Sequence, residues 1–282
     1  MIVGVDFSGA KADNATWVTQ GRLEGQSLRI HSSRSMPRAE LADLLASLPT
    51  ETVAALDFPY SVPQQFAEFW VPKATEMPIL WQEAAGMEYQ EFLALRDEFC
   101  SQHGEPLRRG DLYFPECYSC LHKFNPNMVP MTFRGMQMLD RLWREGCRVP
   151  PLDDSGRTGP VLLESMPGAV INSFGLPHKG YKNGVRRHEL RQQILAGLST
   201  RSGVVLENLD EFREQHFIDW HPAPRRQYII SVSGNVEIEL GDGTKHTFNP
   251  GDARLVEDLT GKGHITRVPG DTPSISAVIP LA

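Results

Sequence analysis

"MIVGVDFSGA" (residues 1–10) and "VAALDFPYSVP" (residues 53–63) decide the fold. Each is an apolar run that stops at an Asp, followed by a Phe and then small or turn-forming residues. Short apolar runs bounded by turn signals read as buried strands. A carboxylate closing a hydrophobic strand is costly to desolvate unless something pairs with it. Either backbone N–H groups of the next turn or a metal ion can fill that role.

Between the two runs, "ATWVTQGRL" (15–23) and "SLRIHSS" (27–33) are β-rich stretches at the spacing of an antiparallel meander. "PRAELADLLASL" (37–48) has apolar residues at helical spacing and Pro at its start. Three strands, a helix and a returning strand predict an α/β layer with two Asp-tipped strands. Residues 62–150 are rich in Trp, Met, Glu and Pro, and "QEFLALRDEFCSQHG" (90–104) and "FRGMQMLDRLWREG" (133–146) read as helices. This part is expected to be a helical insertion or lid. "PVLLESMPGAVI" (160–171) is a third buried strand, closed by Glu164, and "RRHELRQQILAGLSTRSG" (186–203) is a helix with a Gly stop.

From about residue 217 the texture changes. "RQYIISVSGNVEIELGDGTKHTFNPGDARLVED" (226–258) alternates strongly, with "GDG" and "NPGD" at hairpin spacing. The expected division is 1–214 for the α/β domain and 215–282 for an all-β domain. The stretch 208–220 is not Gly/Ser-rich, so the two parts are expected to abut.

Composition sets outer bounds. The chain has 282 residues, 40% hydrophobic and 22% charged, as in an ordinary soluble protein. No run approaches the ~18–20 apolar residues of a membrane span, and the start lacks a signal-peptide pattern, so a cytoplasmic protein with no membrane partner is expected. A net charge of −7 counts against gripping a long stretch of nucleic acid, which usually takes a basic surface. It leaves room for a small phosphodiester site bridged by a cation. Cys117 and Cys120 form a lone C-x-x-C with His103 and His122 nearby. Zinc would need two further ligands at a spacing unlike the standard fingers, so plain packing is the expected role.

Asp6, Asp57 and Glu164 close three strands. Side chains at strand ends of one sheet can converge, and converging carboxylates repel unless a divalent cation lies between them. Mg²⁺ or Mn²⁺ held there could activate water against a phosphodiester. For each residue alone, a turn cap is the competing account. "IVGVDFSGA", "AALDFPYSVP", "NPNMVPMTFRG", "VLLESMPGAVI" and "GYKNGVRR" resemble the family of RNase H-like nucleases known as domain of unknown function 429, over roughly residues 1–210. The resemblance implies an RNase H-like α/β fold and a divalent-metal nuclease site. Asp6, Asp57 and Glu164 would be its catalytic and metal-binding residues, with nucleic acid or a nucleotide as substrate. The family's closing Asp-bearing helix is replaced here by "NLDEFREQHFIDW" (208–220), where Asp210 or Asp219 could stand in. A scaffold without catalysis, joined to a C-terminal module that binds a small ligand or dimerises, is the alternative reading.

"HKGYKNGVRRHELR" (178–191) is the densest basic run, and Lys179, Lys182, Arg186, Arg187 and Arg191 are candidates to hold phosphates. A solvated helix face is the alternative. Arg108, Arg109 and Asp111, in "LRRGD" (107–111), could line the same cleft.

"WHPAPRRQYIISVSG" (220–234) and "FNPGDARLVEDLTGKGHITR" (248–267) resemble the cupin family. Its metal-ligand positions fall on His221, Ala223, Gln227 and His264, so one His and the carboxylate are replaced. Two imidazoles and an amide imply at most a transition-metal site of modest affinity. The leading strands of a cupin are missing, which predicts a half-barrel. Its unpaired edges make a homodimer an expectation.

Overall fold

The computed structural model describes residues 1–11, 13, 15–72, 74, 76–115, 117–123, 127–152, 154–181, 186–208, 216–223, 225–261, 263–269 and 274–281, with the backbone alone at 188 and 216–221. The chain divides into two compact units, Met1–Glu207 and Asn208–Ala282. The expected boundary at 214/215 falls outside the described residues.

In the first unit β1 (Ile2–Asp6), β2 (Trp17–Glu24) and β3 (Ser27–Ser35) form the meander. Gly25, with φ +59, occupies the first turn position between β2 and β3, where a II′ hairpin needs a residue without Cβ. Helix α1 (Arg38–Ser47) follows, and β4 (Val53–Leu56) returns parallel to β1. Helices α2 (Gln64–Trp70), α3 (Met77–Ala85), α4 (Tyr89–His103) and α5 (Met128–Arg144) occupy the expected helical stretch. Then come β5 (Val161–Glu164), α6 (Pro167–Ser173), α7 (Arg187–Ser202) and the short β6 (Val205–Leu206). The sheet runs β5-β4-β1-β2-β3-β6, mixing parallel and antiparallel pairs.

One core serves sheet and helices together. Val3, Val5, Ala54, Leu56 and Leu162 alternate inward from the strands and meet Phe66, Trp81, Phe92, Phe99, Phe133 and Leu139 from the helices. The helical stretch is thus part of the main core and not a detached cover. α5 carries the tightest contacts. A Cβ on Gly135 would lie 2.3 Å from the Phe58 ring, and one on Gly9 would lie 2.2 Å from the Met131 backbone nitrogen. Both glycines let α5 press against the segments that follow Asp6 and Asp57. No described helix is long and apolar enough to cross a membrane.

The second unit is all β among its described residues, as its alternation predicts. A four-stranded antiparallel sheet contains β7 (His216–His221), β9 (Val236–Glu239), β10 (Lys245–Phe248) and β12 (His264–Val268), in the order β10-β9-β12-β7. A three-stranded one contains β8 (Gln227–Ser233), β11 (Ala253–Val256) and β13 (Ile275–Pro280), in the order β11-β8-β13.

Candidate functional site

The carboxyl ends of β1, β4 and β5 lie side by side. Val5 is level with Leu56, and Leu56 with Glu164. The Asp57 N–H donates to the Val5 carbonyl (3.0 Å) and the Ser165 N–H to the Leu56 carbonyl (2.9 Å). Alternation then sorts the three carboxylates. Asp6 and Asp57 stand one residue beyond the buried Val5 and Leu56, so they share a face on strands ~4.8 Å apart. Glu164 has the parity of Leu56 and belongs to the other face, because a one-residue offset turns a side chain over. Asp6 and Asp57 thus follow residues that are level on neighbouring strands, and Glu164 stands one position earlier in that register.

Glu164 is instead held by Arg108. The guanidinium donates to Glu164 Oε1 (2.6 Å) and Oε2 (2.9 Å) and to Asp111 Oδ1 (2.7 Å) and Oδ2 (3.0 Å). Glu164 Oε2 also accepts the Tyr60 N–H at 3.0 Å. Burial alone would lower the Arg108 pKa, but the two carboxylates outweigh it and hold the guanidinium above its usual value. Beside this pair, burial pushes the Cys120 thiol up to about 12, with Asp111 and Glu164 adding to the effect. The Tyr60 hydroxyl is buried without a hydrogen-bond partner among the described residues. Burial raises its pKa well above the ordinary phenol value, and Glu164 raises it further.

The loop after Asp6 is fixed by two guanidiniums that the sequence reading passed over. Arg38 donates to the carbonyls of Ser8 and Ala10 at 3.0 Å each, and Arg134 donates to that of Gly9. Asp13 accepts the Arg38 backbone N–H at 3.0 Å, at the start of α1. The Arg38 pKa is lowered first by burial; Asp13 opposes this and Arg134 adds to it, a sign that the two cations sense one another. No spacing links residues 38 and 134 to residues 8–10, so only the folded chain reveals them.

A cleft of about 360 Å³ is lined by Arg108, Arg109, Gln64 and Glu76 among others, and Arg109 is exposed there. In the basic run, Lys179 and Arg187 are exposed, while Lys182 lies outside the described residues. Arg186 is matched on its own helix by Glu189 at 2.7 Å, and Arg191 donates to the Tyr181 carbonyl at 2.8 Å. Cys120 is buried in the core, Cys117 contacts the Met166 sulfur at 2.9 Å, and His122 pairs with Glu105. Among the described residues no group of three or more His, Cys, Asp or Glu is placed to hold a metal ion. Asp210 and the side chains of Asp219 and His221 lie outside them.

In the second unit, Gln227 and His264, both expected to face inward, line one cavity of about 240 Å³. They are 8% and 7% exposed. Ala223 lines it too, at the position where the cupin pattern has a second His. His264 Nδ1 is 2.6 Å from Asp258 Oδ2. His264 is level with His221 across the β12–β7 ladder. The lining comes from both sheets, and it includes a residue the sequence did not flag, Arg254 on β11.

Compared with known proteins, the chain matches no family model and no curated sequence.

Proposed function

We propose that the first unit is an RNase H-like, divalent-metal-dependent nuclease or phosphodiesterase, joined to a cupin-like second unit. The observation that carries this reading is the Asp6–Asp57 pair at the carboxyl ends of two adjacent parallel strands. Ligands of α/β sheets commonly bind outside those ends. A meander of three strands beside two parallel strands, in the order β5-β4-β1-β2-β3, supports the RNase H-like description.

The donor chemistry fits Mg²⁺ or Mn²⁺. Mg²⁺ keeps several waters and is usually bound through one or two carboxylates plus substrate phosphates, so a carboxylate pair suffices. A bound ion would supply an activated water and stabilise the leaving oxygen. Asp6 and Asp57 would hold it. Arg38 and Arg134 set positive charge beside the loop after Asp6 and favour approach of a phosphate there. Glu164, clamped to Arg108, fixes the position of residues 108–111, which leaves Arg109 facing the cleft. Lys179 and Arg187, both exposed, are candidates of the basic run to meet a longer substrate.

One observation favours a second reading, in which the unit is a catalytically silent scaffold: Glu164 is already neutralised by Arg108. Calorimetric titration of Mn²⁺ into the full chain, alongside cleavage assays on single-stranded DNA and RNA, separates the two. Metal binding weakened about tenfold or more by Asp6→Asn or Asp57→Asn, with metal-dependent cleavage, is expected. Binding without cleavage selects the scaffold. Absence of any binding heat sinks the metal site.

A further inference from the structure

Among the described residues, Arg254 is a cation without a carboxylate. Its guanidinium reaches the Ser231 hydroxyl at 3.2 Å and lies over the Phe248 ring, 4.8 Å from the centroid. Its Nε is buried and has no hydrogen-bond partner among the described residues. Burial lowers its pKa, with no opposing carboxylate. Leaving a charged donor unsatisfied costs more than leaving a neutral one, and native structures rarely tolerate it without a functional reason.

The cavity beside it has the other half of a binding site. Arg254 is level with Ile229, and Gln227 is level with Val256, so Arg254 and Gln227 are diagonal neighbours on the inward face of the β8–β11 ladder. The remaining lining includes Ile229, Ile238, Val256 and Val278. An apolar lining with a few convergent polar groups is the general form of a small-molecule site. At about 240 Å³ it is smaller than the ~300–1,000 Å³ pockets that take drug-sized ligands, so the occupant is small.

Charge selects among anions. Among the described residues, Arg254 and His264 are the only ionisable groups of the lining, and His264 already bonds to Asp258. A single guanidinium is neutralised by one negative charge. A phosphate dianion would bring an uncompensated charge into an apolar space, which is costly. A carboxylate brings one charge and two oxygens that match the guanidinium fork. We propose that the cavity of the second unit binds a small aliphatic monocarboxylate, its head on Arg254 and the Gln227 amide, its chain against Ile229, Ile238 and Val256. This site needs no metal and does not depend on the activity proposed for the first unit.

The test uses the full chain, dialysed against a chelator, with butyrate, butan-1-ol and inorganic phosphate as probes at matched ionic strength. Calorimetry is expected to show saturable butyrate binding about tenfold or more tighter than either of the others. The Arg254 Nε–H resonance of the wild-type chain is expected to shift with butyrate, a readout that survives misfolding of any variant. Arg254→Met is expected to abolish binding and Arg254→Lys to weaken it. The proposal is overturned by the absence of saturable butyrate binding, by an Nε–H resonance that does not move, or by an undiminished affinity in a folded Arg254→Met. Phosphate binding as tight as butyrate overturns the carboxylate assignment.

Discussion

Arg108 in the first unit and Arg254 in the second are both removed from bulk water, yet their surroundings are opposite. Arg108 meets two carboxylates, and its charged form is stabilised beyond that of a free guanidinium. Arg254 meets a hydroxyl and a ring, and burial works against its charge. A saturated cation acts as a structural tie between distant segments. An unsaturated one beside a cavity is a binding group held ready. Two partly buried arginines therefore support different predictions.

The largest effect is expected at the tie. Arg108→Met leaves Asp111 and Glu164 without their cation, and Asp111 has only 5% of its side chain exposed. Breaking a buried pair from one side typically costs about 3–5 kcal/mol, discounted here because Glu164 is one-third exposed, so about 3 kcal/mol is expected from urea unfolding. A loss under about 1 kcal/mol would make Arg108 no more structural than Arg254.

Next comes the packing that seats the tie's surroundings. Gly135→Ala would drive a methyl into the Phe58 ring, and overpacking of this kind costs about 1–3 kcal/mol. Thermal unfolding of the variant checks it. An unchanged midpoint would mean that the segment after Asp57 is held less tightly than its contacts indicate.

Cys120 reports on the tie through pH. Its folded pKa of about 12 exceeds the unfolded thiol value of ~8.5, so the unfolded chain loses this proton first. Its contribution to stability is complete below about pH 8.5 and disappears as pH rises toward about 12, with a slope of at most ~1.4 kcal/mol per pH unit. Cys120→Ala should flatten that part of the alkaline unfolding curve. Rapid alkylation of Cys120 in the native chain at pH 8 would contradict the burial on which this rests.

The smallest effect, and the one of opposite sign, belongs to Arg254. Replacing a buried charge that lacks a counterion by an apolar side chain of similar length is often neutral or stabilising. Arg254→Met forfeits the hydroxyl bond and the ring contact, so a gain of about 0–1 kcal/mol is expected without ligand. A destabilisation as large as that of Arg108→Met would erase the distinction between the two arginines.

The sequence by itself determined the features that depend on local periodicity. Continuous apolar runs bounded by turn signals located β1, β4 and β5, period-2 alternation located the all-β second unit, and helical spacing located α1, because these patterns are local to each stretch of chain. The strand-end positions of Asp6, Asp57 and Glu164 followed from where each apolar run stops. Gln227 and His264 were singled out in the sequence by a resemblance, and in the fold both line the cavity of the second unit. Tertiary structure decided which of these residues meet. Whether Glu164 joins Asp6 depends on the register between β4 and β5, and a one-residue offset places it on the other face, against an arginine 56 residues earlier in the chain. Arg38 and Arg134 reach the loop after Asp6 from helices that carry no local sign of it. Arg254 looks like any strand arginine until β8 and β11 pair and the second sheet closes over it, because desolvation is a property of everything packed around a group and not of the residues beside it in sequence.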